Sequence, residues 1–291
     1  MGLKAKFNLT MLAAFVAGLG LAAAFSYTVV REDARDEVLQ NARLMMTEAI
    51  AIRDYTSKEI EPLLADQSKI QFLPHTVPAW AAQTNFRLVQ ERMPDYAYKE
   101  PTLNPTNPAD RPTDWQADLI AAFQQNPALK ELVTERDTPT GRALSLSRPF
   151  RLTEKDCLEC HSTPGAAPAS MVSLYGTANG FGWKLGDVQG VQVVTVPESV
   201  ALRKADRTFL LFLGGLTFVF AVMLALLNVL LQQMVVRRVR AISRTAEEVS
   251  LGNMDAAELP AAGRDEIASL AQSFNRMRRS LANAMRMLEA D

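Results

Sequence analysis

The sequence predicts an α+β domain set between two membrane-spanning helices and followed by an all-α parallel coiled-coil module. Three observations predict it. No charged side chain occurs from Phe7 to Val30 or from Thr208 to Val236, and each run exceeds the roughly 20 residues that cross a bilayer as a helix. The stretch between them mixes helical periodicity with a β-rich run from Val188 to Val196. Beyond the second run, two heptad seams follow one another.

Taken over all 291 residues, a hydrophobic content of 48% and a net charge of −1 describe an ordinary globular average that hides the two apolar runs. No nucleic-acid partner is expected. A cleaved signal peptide is the alternative for the first run, because Ala22 to Ala24 are small residues that a signal peptidase accepts. The run nevertheless continues through Phe25, Tyr27 and Val30, beyond the usual length of such a segment. Lys4 and Lys6 precede the first run, and Arg237, Arg238 and Arg240 follow the second. Cations concentrate on the cytoplasmic side, so both termini are expected there, in the inner membrane of a bacterium. The expected organisation is a cytoplasmic N-terminus (1–6), a span (7–30), a periplasmic domain (31–207), a second span (208–232), the coiled-coil module (233–285) and a C-terminal end (286–291).

The two cysteines of the chain stand together in Cys157-Leu158-Glu159-Cys160-His161. This spacing fits covalent attachment of one c-type haem: two thiols add across the porphyrin vinyl groups and the adjacent imidazole reaches the iron. Cys157 and Cys160 are then the thioether anchors and His161 the proximal ligand. A disulfide or a thioredoxin-like redox pair has no need of His161. Zinc wants four ligands, and the other histidine, His75, lies far away in sequence. For the distal iron position the candidates are His75, stiffened between Pro74 and Pro78, and the methionines Met45, Met46, Met93 and Met171. A vacant or water-bound position remains a third alternative. Arg148, Arg151 and Lys184 are candidate partners for the haem propionates.

Val38, Ala42, Met45, Ala49 and Ile52 continue a helix out of the first span. This helix packs either on its own domain or on a second subunit. Pro94 to Pro112, rich in Pro, Asn and Tyr, is expected to be ordered loop, and Trp115 to open a short helix. Glycine-punctuated turns from Tyr175 to Lys184 carry aromatics that wall a haem or fill the core of a hairpin. Pro197 is expected in the first turn of a helix running through Arg207 into the second span. Past that span, Val235, Val239, Ile242, Ala246 and Val249 form one seam. Ile267, Leu270, Phe274, Met277, Leu281, Ala284 and Leu288 form another, with a connector from Leu251 to Gly263 between them. Two such seams favour a parallel homodimer in a four-helix bundle.

Gly252-Asn253-Met254, Arg264-Asp265-Glu266-Ile267 and Phe274-Asn275-Arg276-Met277 resemble a HAMP domain over about residues 233 to 285. Arg238 departs from the proline that many HAMP domains carry at the start of their first helix. Residues 40 to 200 resemble a family of bacterial single-haem c-type sensor domains that commonly precede HAMP modules. The likeness rests on Val77-Pro78-Ala79, Tyr96-Ala97-Tyr98, Asn104-Pro105-Thr106-Asn107, the haem motif, Tyr175-Gly176 and Gly180-Phe181-Gly182-Trp183-Lys184 in that order. The resemblance implies a PAS-like fold. The expected function is a membrane-bound haem sensor of redox state or gas, not an enzyme, signalling through HAMP to a separate cytoplasmic effector such as a kinase, unless the chain is a fragment of a longer receptor. A membrane-anchored electron-transfer cytochrome is the alternative; a peroxidase would need an acid-base group on an open distal face, where His75 is the candidate.

Overall fold

In the computed structural model, residues 2–139 and 141–289 are described, apart from the side chains of Leu3, Leu288 and Glu289. Leu288 of the second heptad seam therefore lies outside the described side chains. Contacts divide the chain into two units, Thr28–Thr208 and the remainder.

In Thr28–Thr208 the core is built on a four-stranded sheet. β1 (Ala97–Lys99), β2 (Leu132–Thr138), β3 (Gly141–Arg151) and β4 (Val188–Pro197) are ordered β1-β4-β3-β2, with every neighbouring pair antiparallel. β1 lies inside the stretch expected to be loop. Its pairing of Ala97, Tyr98 and Lys99 with Thr195, Val194 and Val193 overrides the turn-rich composition around it. Pro197 likewise closes β4, opposite Ala143, instead of opening a helix. At the end of a strand its missing N–H leaves no ladder bond unmade, and the following helix α8 begins at Ser199.

Both faces of the sheet are covered. Helix α1 (Leu3–Tyr55) carries the first apolar run and the amphipathic stretch without a break. Its residues Ala34, Val38, Ala42, Met46 and Ala49 are buried with Leu144, Leu146, Val194 and Val196. Of the two packings left open for this helix, the structure shows the one on its own domain. Ion pairs from Arg35 to Glu135 (2.9 Å) and from Arg43 to Glu131 (2.9 Å) pin α1 to the β2 side. On the other face, α5 (Asp114–Gln125) buries Leu119, Ile120 and Phe123 against Val188, Val191 and Val193, each worth about 1.5–3 kcal/mol when fully buried. The capping box of Thr113 and Gln116 starts α5. With two covered faces, Leu144, Ser145, Leu146 and Ser147 are all fully buried.

Between α1 and β1 the chain makes a π-helical turn (Thr56–Ile60), α2 (Glu61–Leu63), α3 (Ala65–Ile70), a 3-10 turn (Pro74–Thr76) and α4 (Pro78–Arg92). Between β3 and β4 lie α6 (Cys157–His161) and α7 (Ala169–Tyr175). From β4 the chain passes into α8 (Ser199–Leu230). Its first turns lie beside α1 through Lys204–Glu37 (3.0 Å) and Arg31–Asp206 (3.3 Å).

In the other unit, Phe15 packs on Phe220 and Tyr27 on Phe209, with ring centroids 4.5 and 5.7 Å apart. Among the described residues, α1 and α8 are the two helices long and apolar enough to cross a membrane. A π-helical turn (Leu231–Val236) leads to α9 (Arg237–Ser250), and a connector leads to α10 (Glu266–Glu289). Asn275 clamps the connector: its Oδ1 accepts from Leu259 N (3.1 Å) and its Nδ2 donates to Leu259 O (2.9 Å). Arg238, the departure from proline, donates to Asp265 Oδ2 (2.5 Å) and Ala262 O (3.2 Å). Asp265 Oδ1 in turn accepts from Ala268 N (2.7 Å), capping α10. Leu270, Met277 and Leu281 of the second seam are exposed.

Candidate functional site

α6 is a single turn of helix, and residues three apart in a helix share a side. Cys157 and Cys160 therefore present two half-buried free thiols together, with His161 one residue on. Burial pushes both thiols above their ordinary range, and nearby carboxylates add to it: Glu154 for Cys157, Glu159 and Glu61 for Cys160. Arg53 opposes the shift at Cys157.

The imidazole of His161 is fixed on two sides. Its Nδ1 lies 2.8 Å from the Gly180 carbonyl. A carbonyl only accepts, so Nδ1 carries the proton and Nε2 keeps its lone pair. Burial also pushes the His161 pKa down, which favours the neutral form that binds metal. The ring lies flat on Trp183, with centroids 3.9 Å apart and an interplanar angle of 8°. Trp183 in turn meets the edge of Phe150 at 6.2 Å.

The glycine loop that holds His161 is itself held. Gly180 N donates to Asn104 Oδ1 (3.1 Å), and Asn104 Nδ2 donates to Phe181 O (3.2 Å). Gly182 N and Trp183 N donate to Ser162 O and His161 O. Gly180 has φ +86°, and a Cβ there would lie 2.0 Å from Thr106 Oγ1 and 2.9 Å from Thr106 Cα. Only glycine fits so close an approach of two backbones. Leu152 and the 186–187 turn exchange backbone hydrogen bonds, which joins this loop to the end of β3 and the start of β4.

These residues fit a covalently held haem. The thiols share one side of a turn, and Nε2 is available beside them. Trp183 Nε1 is buried with no hydrogen-bond partner among the described residues. A buried indole N–H is costly to leave unpaired, and an anionic oxygen such as that of a propionate would satisfy it.

The other sequence candidates are dispersed. His75 is exposed in the Pro74–Thr76 turn, edge-on to Trp80 at 4.7 Å. Met46 is fully buried and Met45 half-buried in the α1 core, Met171 is buried on α7, and Met93 is 46% exposed. Arg148 pairs with Glu131 at 2.9 Å, Arg151 donates to Pro127 O at 2.8 Å, and Lys184 is exposed. Sequence reasoning passed over Asn104, Thr106 and Arg53. The Asn104-Pro105-Thr106 turn was visible as a motif, but its distance in sequence from Gly180 hid the contact.

Residues 31–197 match the family model Tll0287-like, and residues 230–283 match that of the HAMP domain. The crystal structure of the cyanobacterial heme-protein Tll0287 is similar to 55% of this chain and 95% of its own, at 17% identity and a TM-score of 0.44. No curated protein matches the chain. With more than half of its residues inside the first match, the chain belongs to the Tll0287-like family and carries a HAMP domain after that region.

Proposed function

We propose that the chain is a two-pass membrane receptor whose periplasmic domain holds one covalent c-type haem and whose HAMP domain relays the state of that haem to a separate cytoplasmic effector. The observation that carries this reading is the path from His161 to HAMP. The imidazole is tied to Gly180, the glycine loop to Leu152 and the start of β4, and β4 runs into α8. Residues 230–283 begin where α8 ends.

Cys157 and Cys160 would form the thioethers and His161 Nε2 would bind the iron. When bound there, a haem supplies a one-electron redox centre and a coordination position for a small ligand. The chain's own part is mechanical. His161 Nδ1–H and the Trp183 face hold the ring in one orientation, so a change in pull on Nε2 is delivered to the Gly180 carbonyl rather than lost in ring rotation. His75, Met45, Met46, Met93 and Met171 are the side chains that would compete for a second iron position, which would otherwise stay open. The sheet order β1-β4-β3-β2 supports a PAS-like domain.

The exposed row of Leu270, Met277 and Leu281 supports a parallel homodimer in which these residues meet a second copy. Coupling of about 1–3 kcal/mol between haem state and HAMP packing is typical of such a switch. The test is disulfide crosslinking of a Leu281→Cys dimer in membranes, under oxidising and reducing conditions that do not themselves consume the new thiol. A change in crosslinking yield with haem state is expected. An unchanged yield, with the haem spectrum changing as it should, would rule out signalling through HAMP and favour the electron-carrier reading.

A further inference from the structure

A mostly buried cation packed on the ring network behind His161 is one the sequence does not single out. Arg53 stands near the end of α1 with a side-chain exposure of 18%, paired with Glu100, whose side chain is 4% exposed. Its guanidinium lies over the ring of Phe150, 5.1 Å from the centroid. Phe150 touches Trp183, and Trp183 stacks on His161. Arg53 is thus joined to His161 through two rings, Phe150 and Trp183. Arg148 is paired as well, with Glu131, which it shares with Arg43.

Glu100 is held from several elements. Tyr98 OH donates to its Oε1 (2.8 Å) and accepts from Gln192 Nε2 of β4 (3.2 Å). Its backbone N–H donates to Gln83 Oε1 of α4 (3.4 Å), and Gln83 Nε2 donates to Asp110 Oδ1 (3.0 Å). The charged and titratable groups facing the pair are therefore Tyr98, Asp110 and Cys157. Burial and Glu100 push Tyr98 far up, so it stays a neutral donor. Despite burial, Glu100 holds Arg53 cationic.

We propose that the balance of the buried Arg53–Glu100 pair holds the reduction potential of the haem at Cys157, Cys160 and His161 in place, each charge offsetting the other. The proposal rests on the haem reading above. On reduction one electron passes from an external donor to ferric iron, giving ferrous iron, and the site loses one positive charge. A fixed cation beside it favours the ferrous form, a carboxylate the ferric form, and in the intact pair the two nearly cancel. Removing one partner leaves the other buried and uncompensated.

The experiment is a spectroelectrochemical redox titration of the full chain in detergent, matured with covalent haem. Glu100→Gln should raise the midpoint potential and Arg53→Gln should lower it, each changing the ferric-to-ferrous ratio at fixed applied potential by about tenfold. The double variant Arg53→Gln/Glu100→Gln should return toward the potential of the unaltered chain. A purely structural role predicts shifts of one sign. Glu100→Gln is isosteric and keeps an oxygen for Arg53, so an unmoved potential in that variant overturns the proposal even if Arg53→Gln does not accumulate. Covalent haem with unmoved or same-direction potentials defeats this inference alone. Absence of covalent haem from the unaltered chain defeats the haem reading with it.

Discussion

Replacing Gly180 by alanine would test how His161 is held. Two costs add. The backbone at φ +86° is left-handed, which costs a residue with a Cβ about 1–2 kcal/mol. The new methyl would also fall 2.9 Å from Thr106 Cα, a backbone atom that cannot rotate away, and crowding of that kind costs about 1–3 kcal/mol. The expected loss is about 2–5 kcal/mol, a large part of the stability of an ordinary domain. Gly182→Ala is the matched control, because Gly182 has φ +81° but open space around its Cβ position. It should lose only the conformational part, about 1–2 kcal/mol. The assay is denaturant unfolding of the haem-loaded chain in detergent, followed by the haem band and by tryptophan fluorescence. Because the Gly180 carbonyl accepts from His161, the haem band should change in Gly180→Ala and stay unchanged in Gly182→Ala. Equal stability of the two variants would refute the argument that the approach of Thr106 demands glycine.

Other outcomes follow from the same geometry. Cys157→Ser or Cys160→Ser should leave one thioether and a shifted pyridine haemochrome band, and the double substitution should leave no haem that survives acid–acetone extraction. Asn275→Ala strips both backbone partners from buried Leu259, at about 1–3 kcal/mol for each group left unsatisfied; limited proteolysis should then cut the 251–265 connector faster. Hydrogen bonding from Arg35, joined by Arg142, holds the Glu135 carboxyl below its ordinary range. At Glu131 burial opposes the shift, but Arg43 and Arg148 prevail. Carboxyls lowered on folding contribute stability above their unfolded pKa and lose it as pH falls through the folded one. Thermal stability of the Thr28–Thr208 unit should therefore drop below about pH 4, and Glu135→Gln should make that drop shallower.

Much of this architecture is legible from local pattern. The apolar spans, the cysteine-histidine turn, β4 and the HAMP helices each write themselves in a contiguous stretch. β1 does not: three residues among prolines and asparagines become a strand because Val193 to Thr195 are there to pair with them. β2 and β3 were passed over for a related reason. Leu144 to Ser147 alternates as a strand should, but the serines are as buried as the leucines, because the second face of the sheet is covered by α5. Around His161 the pattern repeats. The motif names the thiols and the imidazole, whereas Gly180, which holds the imidazole, and Asn104 and Arg53, which pack behind it, come from 19 to more than 100 positions away. Arg148, Arg151 and Lys184 are the basic residues near the motif or the aromatic turns in sequence, and in space Arg148 pairs with Glu131.

The buried stripe of α1 is mostly alanine. Ala34, Ala42 and Ala49 project a single methyl each, so along its axis the helix interlocks with the sheet chiefly at Val38 and Met46. Charges at its flank add to that hold: Arg35 on Glu135, Arg43 on Glu131 and, toward its far end, Arg53 on Glu100. The first two are solvent-facing and weaken with ionic strength, while the buried third does not. Salt would thus turn a rod clamped at several points into one hinged at Arg53, loosening its membrane-proximal part while the end beside the haem motif stays in register.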